Sequence, residues 1–448
     1  MSAARPEGPI APQRQALPAR LLSLLDSARP EPANPLAWRC FQLGAFALAS
    51  SALVAGVLLF VALVQGSRQR QPWWRDRANG VLAIPAALML LGCLGASSGP
   101  LAWVGLGNWL PFFWAFWGFQ PYLLTPAARR RVALALGAGT VPVIVTGLGQ
   151  LWWGWSGPWQ ILGGAIVWWI KPGGNPEGRL SGLFDYANIT AAWLALSWPL
   201  VLAALLERAR RWRQGLVGAS PLAPAGGTAL LLALGLAVAQ VAALYLTDSR
   251  NAWGALVLAA PVVAGPISWP WLLPLLALVL VPVALASLPG VPALLQAPAR
   301  ALVPEAIWAR LNDMKFAGER NLASTRLSQW GVALGLIAER PWLGWGAAAF
   351  SVIYPLRTGQ WHGHPHNVVI DLAVSHGLPV AAIVVGLVLW LLIRAARLGI
   401  ARAPVFERAW WAAALVLVTL HATDIPMYDS RINIAGWILL AGLRCVRP

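Results

Sequence analysis

The stretch TALLLALGLAVAQVAALYL, residues 228–246, decides the fold class. It carries no charged side chain, and as an α-helix rising about 1.5 Å per residue it is long enough to cross a hydrocarbon core of roughly 30 Å. Apolar runs of similar length recur from Phe41 to the C-terminus of the 448-residue chain. Overall 58% of residues are apolar and 11% charged, with a mean hydropathy of +0.63, more apolar surface than a soluble domain can bury. The expected fold is therefore all-α: a polytopic integral membrane protein of about 11–12 transmembrane helices with one large extracytoplasmic loop. The 28 tryptophans against 5 tyrosines agree, because indole prefers the headgroup layer. Clusters such as Trp152, Trp153, Trp155 and Trp159 then mark where the chain leaves the lipid.

A net charge of +17 would suggest nucleic acid in a soluble protein, but most arginines lie in short loops between apolar runs. The loops SRQRQPWWRDR, TPAARRR, ERARRWRQ and RAARLGIARAPVFER read as cytoplasmic under the positive-inside rule, and nucleic acid is not an expected partner. Membrane lipids are. Cys40, Cys93 and Cys445 lie far apart, which indicates neither a disulfide framework nor a thiolate metal site.

These signals divide the chain into a Pro/Arg-rich tail (1–40), N-terminal transmembrane helices (41–289), one large periplasmic loop (290–365) and C-terminal transmembrane helices (366–448). The tail lacks the hydrophobic core and small-residue cleavage site of a signal peptide, and Leu17–Ala28 within it suits a short surface helix. Reading Phe41–Val64 as one span gives eleven crossings and an outside N-terminus. The arginine-rich tail fits that orientation poorly.

Four of the five histidines fall in WHGHPHNVVIDLAVSHGLP, residues 361–379. His362, His364 and His366 run into Asn367, after which an apolar run begins, so the cluster marks a boundary between water and lipid. Imidazole titrates near neutrality, at roughly 6.5, and accepts a proton at physiological pH. Single histidines are tolerated at interfaces as amphipathic rings, but a cluster in a chain otherwise nearly free of them asks for a function. A metal site is the competing reading; it has no cysteine nearby and no carboxylate closer in sequence than Asp371.

Charges inside or beside membrane spans are costly and mark functional places. Arg179 precedes SGLFDYANITAAWL with Asp185 and Asn188, Asp248 and Arg250 sit at the end of residues 228–246, and Arg326 opens an amphipathic stretch containing Trp330. The expected topology puts all of these on the side of the histidines. Arginine offers a planar, charged fork to phosphate oxygens, whereas a lone arginine is more often a snorkelling anchor or a partner for a neighbouring carboxylate, as Arg250 would be for Asp248. There is no P-loop, no dinucleotide fingerprint and no Asp-x-Asp pair to hold a cation against a nucleotide diphosphate. A donor already in the membrane, carrying its own leaving group, fits better.

These residues resemble the O-antigen ligase and O-antigen polymerase (Wzy-C) superfamily of bacterial membrane glycosyltransferases, over residues 179–379. His366, Asn367, nine residues and Gly377 follow the ligase pattern, with His364 as the preceding histidine. Arg179, Gly182 and Asn188 match an upstream segment, Ser249 and Arg250 a Ser-Arg at the end of a span, and Arg326, Trp330, Pro341, Gly344 and Gly346 an Arg…Trp…Pro-x-x-Gly-x-Gly series. The glycine expected three residues beyond Gly377 is Val380. The resemblance implies metal-independent, inverting transfer of a glycan from undecaprenyl diphosphate to an acceptor hydroxyl on lipid A-core, another glycan or a protein. No cofactor is implied, and the setting is the periplasmic face of the bacterial inner membrane. It makes His366 the candidate base with His364 second, and Arg179, Arg250, Arg326, Asn188 and Asn367 candidate substrate-binding residues. A polymerase of the same superfamily is the nearest alternative. A small-anion transporter of bicarbonate type is the next, and it would place its polar residues near the bilayer midplane instead.

Overall fold

A computed structural model describes residues 23, 25–31, 33–69, 72–215, 226–312 and 325–447. The tail before residue 23, and with it most of the expected Leu17–Ala28 helix, lies outside the described residues. The described chain is almost wholly helical, and six of its helices are long and apolar enough to cross a membrane.

Helices α1 (Pro35–Ala47) and α2 (Ala52–Arg68) form a packed hairpin, and the short α3 (Arg77–Gly80) leads into α4 (Ala83–Leu94). Helices α5 (Pro100–Gly105) and α6 (Leu110–Gly118) return together, and α7 (Pro126–Ala138) continues into α8 (Thr140–Trp152) through Gly139. A two-stranded antiparallel ribbon, β1 (Trp159–Ile161) and β2 (Ile166–Trp168), occupies the Trp-rich loop. Helices α9 (Ala187–Arg213), α10 (Gly226–Leu246), α11 (Arg250–Ala264) and α12 (Trp269–Ser287) follow. Short helices α13 (Ala293–Leu302), α14 (Glu305–Leu311), α15 (Arg326–Glu339) and α16 (Ala349–Thr358) precede α17 (Val368–His376) and α18 (Leu378–Arg397). Helices α19 (Val405–His421) and α20 (Ser430–Arg444) close the chain.

Named contacts define the two ends of this bundle. At the basic end Arg129 of α7 pairs with Glu407 of α19 at 2.6 Å, with both side chains buried. Arg130 pairs with Glu207 near the end of α9, Arg444 of α20 with Asp76, and the Arg131 guanidinium donates to Gln42 of α1. At the opposite end the Trp168 indole donates to the Ser50 carbonyl in the α1–α2 turn, and Arg340 donates to the Gly95 carbonyl after α4.

These contacts correct the expected single span over Phe41–Val64. It is two helices broken at residues 48–51, where the Ser51 hydroxyl accepts from the Val54 N–H and caps α2. Flanking alanines and leucines hide the break in a hydropathy average, although a serine pair ahead of an apolar helix is a capping signal. Read as two crossings, α1 and α2 would raise the expected eleven to twelve and set the start of α1 at the basic end.

Apolar burial drives helices together weakly in lipid, so close backbone approach matters more. A Cβ on Gly66 of α2 would sit 2.1 Å from the Gly118 carbonyl of α6, and only glycine permits that crossing. Polar cores are closed internally. The Gln150 amide donates to the Lys171 carbonyl and the Ser181 hydroxyl while accepting from the Ser181 and Gly182 N–H groups, which pins the 171–182 loop to α8.

In a protein with all three cysteines replaced, Ser50→Cys should react with a membrane-impermeant maleimide from the same face as Glu177→Cys, and Trp74→Cys from the other. Protection of Ser50→Cys from label on both faces would return residues 41–64 to a single span, which buries position 50 in lipid.

Candidate active site

The histidine loop is built from its flanks. Gly359, in a left-handed conformation, ends α16, and the Asn367 side chain starts α17 by accepting from the Val369 and Ile370 N–H groups. The same Asn367 amide donates to the Ala422 carbonyl at 3.0 Å, tying the loop to the turn after α19. From the other side the Trp330 indole of α15 donates to the Pro365 carbonyl at 2.8 Å. Asn367, a candidate substrate ligand by sequence, thus holds the loop through both ends of its amide.

Between these ties His366 takes φ 51°, a left-handed conformation that is strained for a side-chain-bearing residue. Its Nδ1 lies 2.9 Å from Asp424 Oδ1. A carboxylate can only accept, so the proton of this bond sits on His366 Nδ1 and the lone pair on Nε2. Burial raises the Asp424 carboxyl, but the bond to His366 and the charges of His366 and His364 outweigh it and leave the group below its usual range. His366 therefore has an anionic partner behind it and a basic nitrogen in front.

His364 is held by its neighbour: its Nδ1 accepts from the His366 backbone N–H at 3.2 Å, and the two rings lie 4.4 Å apart, edge to face. Burial, with the charges of His366, His362 and Arg326 adding, pushes His364 from its usual 6.5 down to about 4, so it is neutral at physiological pH. Arg326, the first residue of α15, thus lies close enough for its charge to act on the cluster. His362 packs 5.5 Å from the Tyr354 ring and 6.5 Å from His366. His376, the fourth histidine of the stretch, is buried at the end of α17 and stands apart from the cluster.

A second group surrounds Arg179. Its guanidinium donates to the Thr247 carbonyl at 2.7 Å and to Asn188 Oδ1 at 2.6 Å, joining the loop before α9 to the end of α10. Asp248 pairs with Arg310 of α14 at 3.2 Å, and Arg250 donates to the Arg310 and Leu311 carbonyls. Asp248, at φ 53°, and Arg250 are thus both tied to α14.

The two groups are linked through the turn between α19 and α20. Tyr428 lies 5.5 Å from His364 ring to ring, and its hydroxyl donates to Asp371 at 2.6 Å. Arg431 grips Asp429, donates to the Leu183 carbonyl and stacks 3.8 Å over the Phe184 ring. Asp185, Tyr428, Asp429 and Arg431 line a polar cavity of about 400 Å³ beside the histidines. Sequence reasoning missed Asp424, Tyr428, Arg431 and Arg310. The first three stand in TDIPMYDSR between the last two apolar runs, and the rule that flagged Asp248 applies equally there.

An apolar cavity of about 320 Å³ starts directly beneath the site. Val368, Val369 and Ala422 form its upper edge, and it descends between α17, α18, α19 and α20 to Leu440. Leu440 lies ten residues into α20, about 15 Å below its start.

His364, His366 and Asp424 each place one donor atom within 4.8 Å of the others, so the trio can also hold a metal ion. Asp424 supplies the carboxylate that the sequence did not place near the histidines.

Residues 235–385 match the Wzy_C family model, described as O-antigen ligase. No curated protein matches the chain.

His364 carries fewer protons folded than unfolded between pH 4 and 6.5, so its contribution to stability is present above 6.5 and is lost as pH falls toward 4. His364→Gln keeps an acceptor for the His366 N–H and removes the titration. Its thermal midpoint should fall less between pH 6.5 and 4 than that of the wild type; equal slopes would remove His364 as a buried neutral group.

Proposed function

We propose, from the match of residues 235–385 to the O-antigen ligase family model, that the chain is a membrane glycosyltransferase that transfers a glycan from undecaprenyl diphosphate to an acceptor hydroxyl at the periplasmic face of the bacterial inner membrane. The observation that carries the reading is the His366–Asp424 pair, whose chain neighbours Val368 and Ala422 edge an apolar cavity.

In the proposed step His366 Nε2 takes the proton of the acceptor hydroxyl as its oxygen bonds to the anomeric carbon. The bond from that carbon to the diphosphate oxygen breaks, and the lipid diphosphate leaves with the electron pair. Attack opposite the leaving group inverts the centre. Asp424 holds the imidazole by Nδ1–H and stabilises the imidazolium that forms, a positioning role. Neutral His364 holds the backbone of His366 in its strained conformation. Arg326, whose charge acts on His364, is the candidate to meet the charge on the departing diphosphate. Arg179 and Arg250 are bound to carbonyls, and with Asn188 they shape the floor toward which the glycan would extend. The apolar cavity below Val368 suits the first isoprene units of the carrier. The 290–365 segment, periplasmic in this reading, supplies α15 and the arginine upon it.

Ligase and polymerase differ in acceptor. The His-Asn-x9-Gly pattern favours a ligase, whose acceptor is lipid A-core, another glycan or a protein. A deletion strain should accumulate long carrier-linked chains; accumulation of single repeats instead would indicate a polymerase.

With undecaprenyl diphosphate oligosaccharide and acceptor in proteoliposomes, His366→Ala should lower the transfer rate by about 10²–10⁴-fold. Asp424→Asn should lower kcat with KM little changed. A His366→Ala protein with wild-type transfer would remove the mechanism. Transfer should survive exhaustive chelation; activity lost to chelator and restored by zinc would assign His364, His366 and Asp424 to a metal instead. Arg326→Lys, which keeps the charge and loses the fork, should slow transfer, and full activity there would make Arg326 a surface anchor.

A further inference from the structure

One large cavity belongs to neither group of polar residues and lies toward the basic end, away from the histidines. It has a volume of about 1020 Å³ and opens between the segment of residues 72–81 that contains α3, Trp117 of α6, α18 and the end of α20. Its polar end is formed by Arg75, Arg77 and Arg444 around the single carboxylate of Asp76. Asp76 is already committed, accepting from Arg444 at 2.7 Å and from the Ala78 N–H. Among the described residues Arg75 and Arg77 are exposed with no ion-pair partner, and Arg444 Nε is buried with no hydrogen-bond partner. The site thus has an unbalanced positive charge. Exposed Trp73 and Trp74 beside it mark the headgroup layer.

The other wall is apolar and smooth. Ala382, Gly386 and Trp390 stand four residues apart on the exposed face of α18. Gly386 has no atom within 4 Å of where a Cβ would lie. From Trp390 to Ala382 the trough runs about 12 Å along the helix toward the bilayer centre, close to the roughly 15 Å of hydrocarbon in one leaflet. Cations at the headgroup level above an open, small-residue groove of acyl length are the two halves of a phospholipid site.

We propose that this cavity holds an anionic phospholipid of the leaflet at the basic end, its phosphate among Arg75, Arg77 and Arg444 and one acyl chain along the Ala382–Trp390 face of α18. Guanidinium forks take the phosphate oxygens, and the unbalanced charge selects a net-negative headgroup over a zwitterionic one. The bound lipid fills the gap between the segment of residues 72–81 and α18, the helix that follows the histidine-bearing segment. The site stands on its own geometry, so its failure leaves the glycan-transfer reading untouched.

Native mass spectrometry of the detergent-purified full-length protein, titrated with phosphatidylglycerol or phosphatidylcholine, tests this. The wild type should retain phosphatidylglycerol in preference to phosphatidylcholine. Arg75→Gln with Arg77→Gln should weaken phosphatidylglycerol binding about 30-fold, each arginine near an anionic group contributing about fivefold. Gly386→Leu, which fills open space, should block the trough and lose phosphatidylglycerol while eluting at the wild-type volume in size exclusion. Equal retention of the two lipids by the wild type, or undiminished phosphatidylglycerol binding in the double arginine variant, would overturn the proposal. Binding lost in the arginine variant but intact in Gly386→Leu would overturn the acyl placement in favour of a free anion.

Discussion

The approach of residues 341–346 to the break between α17 and α18 is the constraint on which the active end depends. At that break carbonyls lose their helical partners, and inside a membrane protein such groups must be satisfied by other protein groups. The Trp345 N–H donates to the Val374 carbonyl, the Gly346 N–H to the Ser375 carbonyl, and the Leu378 N–H to the Pro341 carbonyl. The contact is so close that a Cβ on Gly377 would stand 2.1 Å from the Trp342 carbonyl, and one on Gly344 2.6 Å from the His376 nitrogen. Both glycines also have positive φ. Two sequence patterns nearly thirty residues apart, Pro-x-x-Gly-x-Gly and His-Asn-x9-Gly, are therefore the two faces of one backbone contact.

This contact places the histidines. It fixes the far end of α17, Asn367 caps the near end, and the Trp330 indole holds Pro365 from α15. With three anchors around a short loop, His366 can be kept at a positive φ that a loose loop would relax. The strain turns its ring toward Asp424 and fixes which nitrogen is basic. A base with a committed tautomer is what proton abstraction requires, and no histidine in a mobile loop has one.

The sequence makes the fold class legible because hydropathy over twenty residues is a bulk property, and the basic loops fix the parity of most spans. It conceals the α1–α2 turn, because Ser50 and Ser51 are small and their neighbours apolar. It displays His364, His366 and Arg326 within ordered motifs, and the structure brings those three together. It conceals Asp424, since 57 residues separate it from Asn367, and only the antiparallel return of α19 beside α17 joins them. It conceals as well that Asp248 and Arg250 both reach Arg310 of α14, about sixty residues further along the chain.

The arginines that set the topology also close the helices. At the basic end Arg129 donates to the Leu123 carbonyl, Arg394 to the Val446 carbonyl, and Arg408 to the Val263, Ala264 and Ala403 carbonyls. The last carbonyls of a helix lack intrahelical partners and carry the negative end of its dipole, so a cation there is stabilised where a neutral side chain would not be. Glu207 and Glu407 receive Arg130 and Arg129, so carboxylates and carbonyl ends share the work of neutralising this face. Arg75 and Arg77 take no part in this closure: both are exposed, neither has an ion-pair partner among the described residues, and both border the cavity beside α18. Their unbalanced charge next to an apolar helix face is the ground on which the proposed lipid site rests.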